Sequence, residues 1–123
     1  MDLDTLITSY FSTKNYEKVL ECGHELLSLK NEKAKVFDMS MTLKMIREST
    51  LALEKYDETE KYSRELLKLE IKFYNKGEVD KNSVLRSYLN LIDAQMKNKN
   101  YNVTLKTFSH LKSSSIVYLC TCS

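Results

Sequence analysis

The sequence predicts an all-α chain, three antiparallel helix pairs stacked as a short right-handed solenoid. Three observations predict it. First, one phrase recurs: NYEKVLECGHELLSL at Asn15–Leu29 returns as KYDETEKYSRELLKL at Lys55–Leu69 and as NYNVTLKTFSHLKSS at Asn100–Ser114. Each copy opens on a polar residue and Tyr (Tyr16, Tyr56, Tyr101), then has Val or Thr (Val19, Thr59, Thr104) and Leu (Leu26, Leu66, Leu111), with 40 and then 45 residues between tyrosines. Recurrence on that scale marks helical units that bury their apolar faces only by stacking. Second, the chain has no Pro and only Gly23 and Gly77, which argues against a turn-rich β fold. Third, apolar residues fall at helical spacing through most of the chain.

The first helix is marked by Leu3, Leu6, Ile7 and Tyr10, with Asp2 or Asp4 favouring its first turn, and ends near Ser12–Lys14. The second runs over about 16–30, with Gly23 in its interior. Glycine there costs about 1 kcal/mol relative to Ala and suits a close helix contact. KNEKAK at Lys30–Lys35 is a polar turn. The third helix covers about 33–55; Val36, Met39, Leu43, Ile46, Thr50 and Leu53 form one stripe, and Met41, Met45, Leu51 and Ala52 lie off it, as in a helix sandwiched between neighbours. The fourth runs over about 57–74 along Tyr62, Leu66, Leu69 and Phe73. Gly77 suits its C-terminal cap. Asn82 or Ser83 caps the fifth (about 83–98), and Asn100 caps the sixth (about 101–113).

A chain of 123 residues makes one domain with a core of its own. The net charge of +2, from 19 basic and 17 acidic residues, is too balanced to favour nucleic acid or a membrane surface as partner. No apolar run approaches the roughly 18 residues of a membrane span. The acidic N-terminus does not read as a secretory signal, and three Cys fit a reducing compartment, so the expected location is the cytoplasm. The segments are about 1–31, 33–75 and 82–113, followed by an irregular tail at 114–123. That tail, SSSIVYLCTCS from Ser113, breaks the pattern, and no seventh amphipathic helix caps the array.

These residues resemble a degenerate tetratricopeptide-repeat (TPR-like) protein over 1–113. In the first repeat Leu3, Leu6, Ile7 and Tyr10 match the family's first helix, and Tyr16, Val19, Gly23 and Leu26 its second. The second repeat offers Leu43, Ile46, Arg47 and Thr50, then Tyr56, Thr59, Ser63 and Leu66. The third offers Tyr88, Leu91, Ile92 and Gln95, then Tyr101, Thr104, Phe108 and Leu111. The chain departs from the family in lacking the first-helix glycines and the closing Pro, and in a period above the family's roughly 34 residues. The resemblance implies a non-enzymatic interaction module that receives a peptide or helix of another protein in a concave groove lined by the first helices. Carried over by position, the partner-binding residues are Lys44, Glu48 and Leu51, then Arg86, Leu89, Asp93, Met96 and Lys97. A clamp for a C-terminal carboxylate is not supported, because Glu48 stands at the family's Asn place.

Chemistry of other kinds finds little footing. Cys22 and His24 fall two apart on a helix and face different ways; Cys120, Cys122 and His110 lack the spacing of a zinc site. No metal or other cofactor is called for, and no Cys has a base placed beside it. The carboxylates Glu58–Glu60 and Glu65–Glu70 read as a solvated helix face. Beyond Asp93 there is no acid, while Lys97, Lys99, Lys106 and Lys112 add positive charge, which fits an acidic peptide or protein surface better than nucleic acid. The tyrosines at repeat-equivalent places read as packing residues, and Tyr88 as core. A second reading is a small regulatory or inhibitor protein that forms a homodimer through its uncapped third repeat.

Overall fold

The computed structural model describes residues 3–29 and 36–113. Among them the regular elements are all α-helices: α1 (Leu3–Ser12), α2 (Tyr16–Leu29), α3 (Val36–Ala52), α4 (Tyr56–Asn75), α5 (Lys81–Lys97) and α6 (Tyr101–Ser113). The polar turn expected at Lys30–Lys35 and the tail at Ser114–Ser123 lie outside the described residues.

One turn is built three times. Two residues past the ends of α1, α3 and α5 stand Lys14, Glu54 and Lys99, each with a left-handed backbone (φ 60°, 59° and 58°). The residue that follows each, Asn15, Lys55 or Asn100, donates its N–H back five residues, to Tyr10, Thr50 and Gln95 carbonyls at 2.9, 2.8 and 2.8 Å. The left-handed residue itself donates to Phe11, Leu51 and Met96 at 3.1, 3.1 and 3.0 Å. This pair of bonds is the Schellman cap, which satisfies carbonyls that a helix end leaves open. A fourth copy closes α4 at Gly77 (φ 75°), with Glu78 N–H on Phe73 at 2.9 Å. Glycine adopts this backbone without strain; Lys and Glu adopt it at a cost of about 1–2 kcal/mol.

The start of α5 differs from the sequence expectation of Asn82 or Ser83 as cap. Asp80 is the N-cap, and its Oδ1 accepts the Ser83 N–H at 3.1 Å. A carboxylate there both takes an orphan N–H and complements the positive end of the helix dipole, so the helix begins at Lys81. Ahead of α6, the Asn100 main-chain carbonyl accepts the Thr104 N–H at 3.0 Å and the Thr104 hydroxyl at 2.8 Å.

The chain divides into two compact units, Met1–Tyr62 and Ser63–Ser123, the boundary falling inside α4. In the first unit α1 packs on α2 and α2 on α3. Its core is Ile7, Val19 and Leu26, ringed by Leu3, Tyr10, Phe11, Cys22 and Met45. Gly23 is the point of closest approach: a Cβ there would stand 2.5 Å from Ile46 Cδ1 and 3.4 Å from Ile7 Cδ1. A polar chain also runs inside this unit. The Thr50 hydroxyl lies 2.8 Å from the Arg47 carbonyl and 2.9 Å from the Thr59 hydroxyl, which lies 3.1 Å from the Lys55 carbonyl, and the two hydroxyl hydrogens are shared among these three contacts. In the second unit the C-terminal part of α4 packs with α5 and α6 through Leu67, Val84, Tyr88, Leu91, Ile92 and Leu111.

The four glutamates Glu58, Glu60, Glu65 and Glu70 of α4 do not form the solvated face that their spacing suggests. Glu60 and Glu70 are buried, Glu58 is half-buried and, of these four, only Glu65 is exposed. Glu70 follows Leu66 by four residues and Leu67 by three, so helical geometry carries it onto the leucine stripe.

Candidate functional site

Helical geometry places Lys44, Glu48 and Leu51 on one strip of α3, at spacings of four and three. Lys44 and Glu48 are exposed and Leu51 is half-buried. Met41 extends this strip one turn towards the N-terminus and is 46% exposed. The sequence reading had noted Met41 only as lying off the main apolar stripe; its offsets of three from Lys44 and seven from Glu48 carry the missing signal. Glu48 Oε1 accepts from the guanidinium of its buried neighbour Arg47, so its charge is partly directed along its own helix.

On α5, Arg86, Leu89, Asp93, Met96 and Lys97 are all exposed. Leu89 and Met96, seven residues apart, present about half their surface to solvent (51% and 52%). Asp93 and Lys97 approach to 3.8 Å across one helical turn, an exposed pair of small energetic weight. The opposite side of α5 is buried: Val84, Tyr88, Leu91, Ile92 and Gln95. Burial there pushes the Tyr88 phenol above its ordinary range. The strip therefore stands on a fixed core face and offers two apolar side chains flanked by charges of both signs.

Cys22 is half-buried beside the first core, and burial, then the nearby Glu25 and Glu21 carboxylates, hold its thiol above the usual range. That shift disfavours the thiolate a nucleophile or metal ligand needs. His24 Nε2 lies 2.8 Å from the Tyr62 hydroxyl, and His110 stands against the Tyr88 ring, centroids 6.1 Å apart. Among the described residues no three His, Cys, Asp or Glu come together as a metal site, and no helix is long and apolar enough to cross a membrane. Cys120 and Cys122 lie outside the described residues.

α6 departs from the sequence expectation. Tyr101 reads as a packing residue like Tyr16 and Tyr56, which are half-buried; it is 57% exposed, and Leu105 and Phe108 on the same helix are 67% and 50% exposed. Sequence reasoning missed this face because the phrase that begins at Tyr101 matches the two phrases whose helices are covered.

No family model, curated protein or solved structure matches this chain.

Proposed function

We propose that this chain is a non-enzymatic protein-interaction module, a short TPR-like array of helical hairpins that receives a peptide or helix of a partner protein along the first-helix faces of its hairpins. The observation that carries the reading is the α5 strip, where Leu89 and Met96 stand half-exposed between Arg86, Asp93 and Lys97 on a helix whose other side is fixed in the core. The α3 strip of Met41, Lys44, Glu48 and Leu51 offers the same mixture of apolar and charged groups at the corresponding helix of the preceding hairpin. Thrice-repeated Schellman turns support the array, because one backbone device sets the exit from α1, α3 and α5 alike.

The test is a pull-down from the native cell with wild type beside a Lys44→Glu/Arg86→Glu variant, read by mass spectrometry. Both residues are exposed, so the variant keeps its fold, as circular dichroism will show. A partner held by wild type and lost by the variant supports the strips as its footprint. A partner held equally by both refutes the assignment of these faces.

A further inference from the structure

α6 carries a face that neither strip accounts for. Aligned on the shared Schellman turns, Tyr101, Leu105, Phe108 and Lys112 correspond to Tyr16, Leu20, Gly23 and Leu27 of α2. On α2 this face is covered by neighbouring helices: α3 brings Ile46 against Gly23, and Phe11 of α1 stands against the Tyr16 ring. Leu20 is accordingly buried and Tyr16 and Leu27 half-buried, whereas on α6 Leu105, Phe108, Tyr101 and Lys112 are all exposed. The face is thus of the kind that receives a helix, and it is apolar enough to gain by being covered.

Two features fix the chemistry of what covers it. The charge is of one sign: Lys112 ends the stripe, Lys106 lies beside Leu105, His110 lies on the same helix, and no Asp or Glu occurs in the chain after Asp93. A second copy docked symmetrically through α6 would set these lysines against their own counterparts, which opposes that pairing. The steric relation is also inverted. Where α2 offers a glycine to an incoming isoleucine, α6 offers the ring of Phe108, so the incoming helix has to carry the small residue at the crossing.

We infer that the outer face of α6 is a docking surface for an acidic amphipathic helix of a partner protein, one with Ala, Gly or Ser at the centre of its apolar stripe and Asp or Glu along its flanks. This surface is separate from the α3 and α5 strips and stands whether or not those strips bind.

Three fluorescein-labelled synthetic peptides of about five helical turns test it: one with a Leu/Ala stripe and Glu flanks, the same with Lys flanks, and the Glu peptide with its central Ala changed to Leu. Fluorescence anisotropy at low salt is expected to show the Glu peptide bound at least tenfold more tightly than either control. Leu105→Ser/Phe108→Ser weakens it at least tenfold, and Lys106→Glu/Lys112→Glu inverts the preference between Glu and Lys flanks; all four residues are exposed, so both variants keep their helical content. Equal binding of the Glu and Lys peptides overturns the inference. So does a dimer in light scattering that Leu105→Ser/Phe108→Ser dissociates, since the occupant is then a second copy. Binding of the Glu peptide that emerges only after removal of residues 114–123 overturns it as well, the occupant then being the chain's own tail.

Discussion

Gly23→Ala tests the close approach on which the first unit is built. A methyl group at position 23 would meet Ile46 Cγ1 and Cδ1 at 2.5 Å, about 1 Å inside the separation at which carbon atoms attract. Ile46 is fully buried and its β-branched side chain has few rotamers to retreat into, so the strain passes to the backbone or to Ile7, already 3.4 Å away. Overpacking of this kind costs about 1–3 kcal/mol, and the gain in helix propensity from Gly to Ala returns up to about 1 kcal/mol. The expected net loss is about 1–2 kcal/mol, which for a chain of this size lowers the melting temperature by about 3–10 °C. Thermal unfolding followed by circular dichroism reads it. Ile46→Ala removes both atoms at fault and alone costs about 2–5 kcal/mol; combined with Gly23→Ala it should cost less than the sum of the two by about 1 kcal/mol. A Gly23→Ala variant as stable as wild type, with no coupling to position 46, would refute the reasoning.

Three further outcomes follow from the caps and the buried hydroxyls. Asp80→Ala should destabilise by about 0.5–2 kcal/mol in chemical denaturation, and Asp80→Asn by much less, because Asn retains the oxygen that accepts the Ser83 N–H. At the left-handed positions the signs oppose: Gly77→Ala should lose about 1 kcal/mol, whereas Lys99→Gly should be neutral or gain up to about 1 kcal/mol, as measured by urea midpoints. Thr50→Val should cost about 1–3 kcal/mol in the same denaturation assay, and Thr50→Val/Thr59→Val should recover part of that loss by removing both partners of the buried hydroxyl pair.

Helix order was the most legible part of the chain. Stripes at spacings of three and four locate all six helices, and the Tyr phrase locates the entry to α2, α4 and α6 to within a residue. The turns before that phrase were harder to see. Their left-handed residues are Lys14, Glu54 and Lys99, not Gly or Asn, so the usual mark of a helix end is absent from the three turns that repeat and present only at Gly77. Capping failed locally at α5 because Asp80, Asn82 and Ser83 all offer a capping oxygen, and only the geometry chooses the carboxylate. Buried charge was invisible for a different reason. Arg47, Glu60 and Glu70 count as polar in any periodicity, so a stripe that includes them reads as narrower than the face it buries. The candidate strips on α3 and α5 came from position within a resemblance, and all their residues but the half-buried Leu51 are exposed, while the α6 face could not be told from its covered counterparts, since exposure depends on what packs outside a helix and not on the phrase within it.

Gly23 and Phe108 stand nine residues after the left-handed Lys14 and Lys99, and their exchange bears on how the proposed array could lengthen. Duplicating the hairpin α1–α2 would copy a glycine into the new junction and leave room for the next helix to settle at the same depth. Duplicating α5–α6 would copy a phenylalanine into that junction and hold the next helix away by the thickness of a ring. In the proposed array the units would therefore be ordered parts, with growth by repetition open at α1–α2 and obstructed at α5–α6 while position 108 holds a ring.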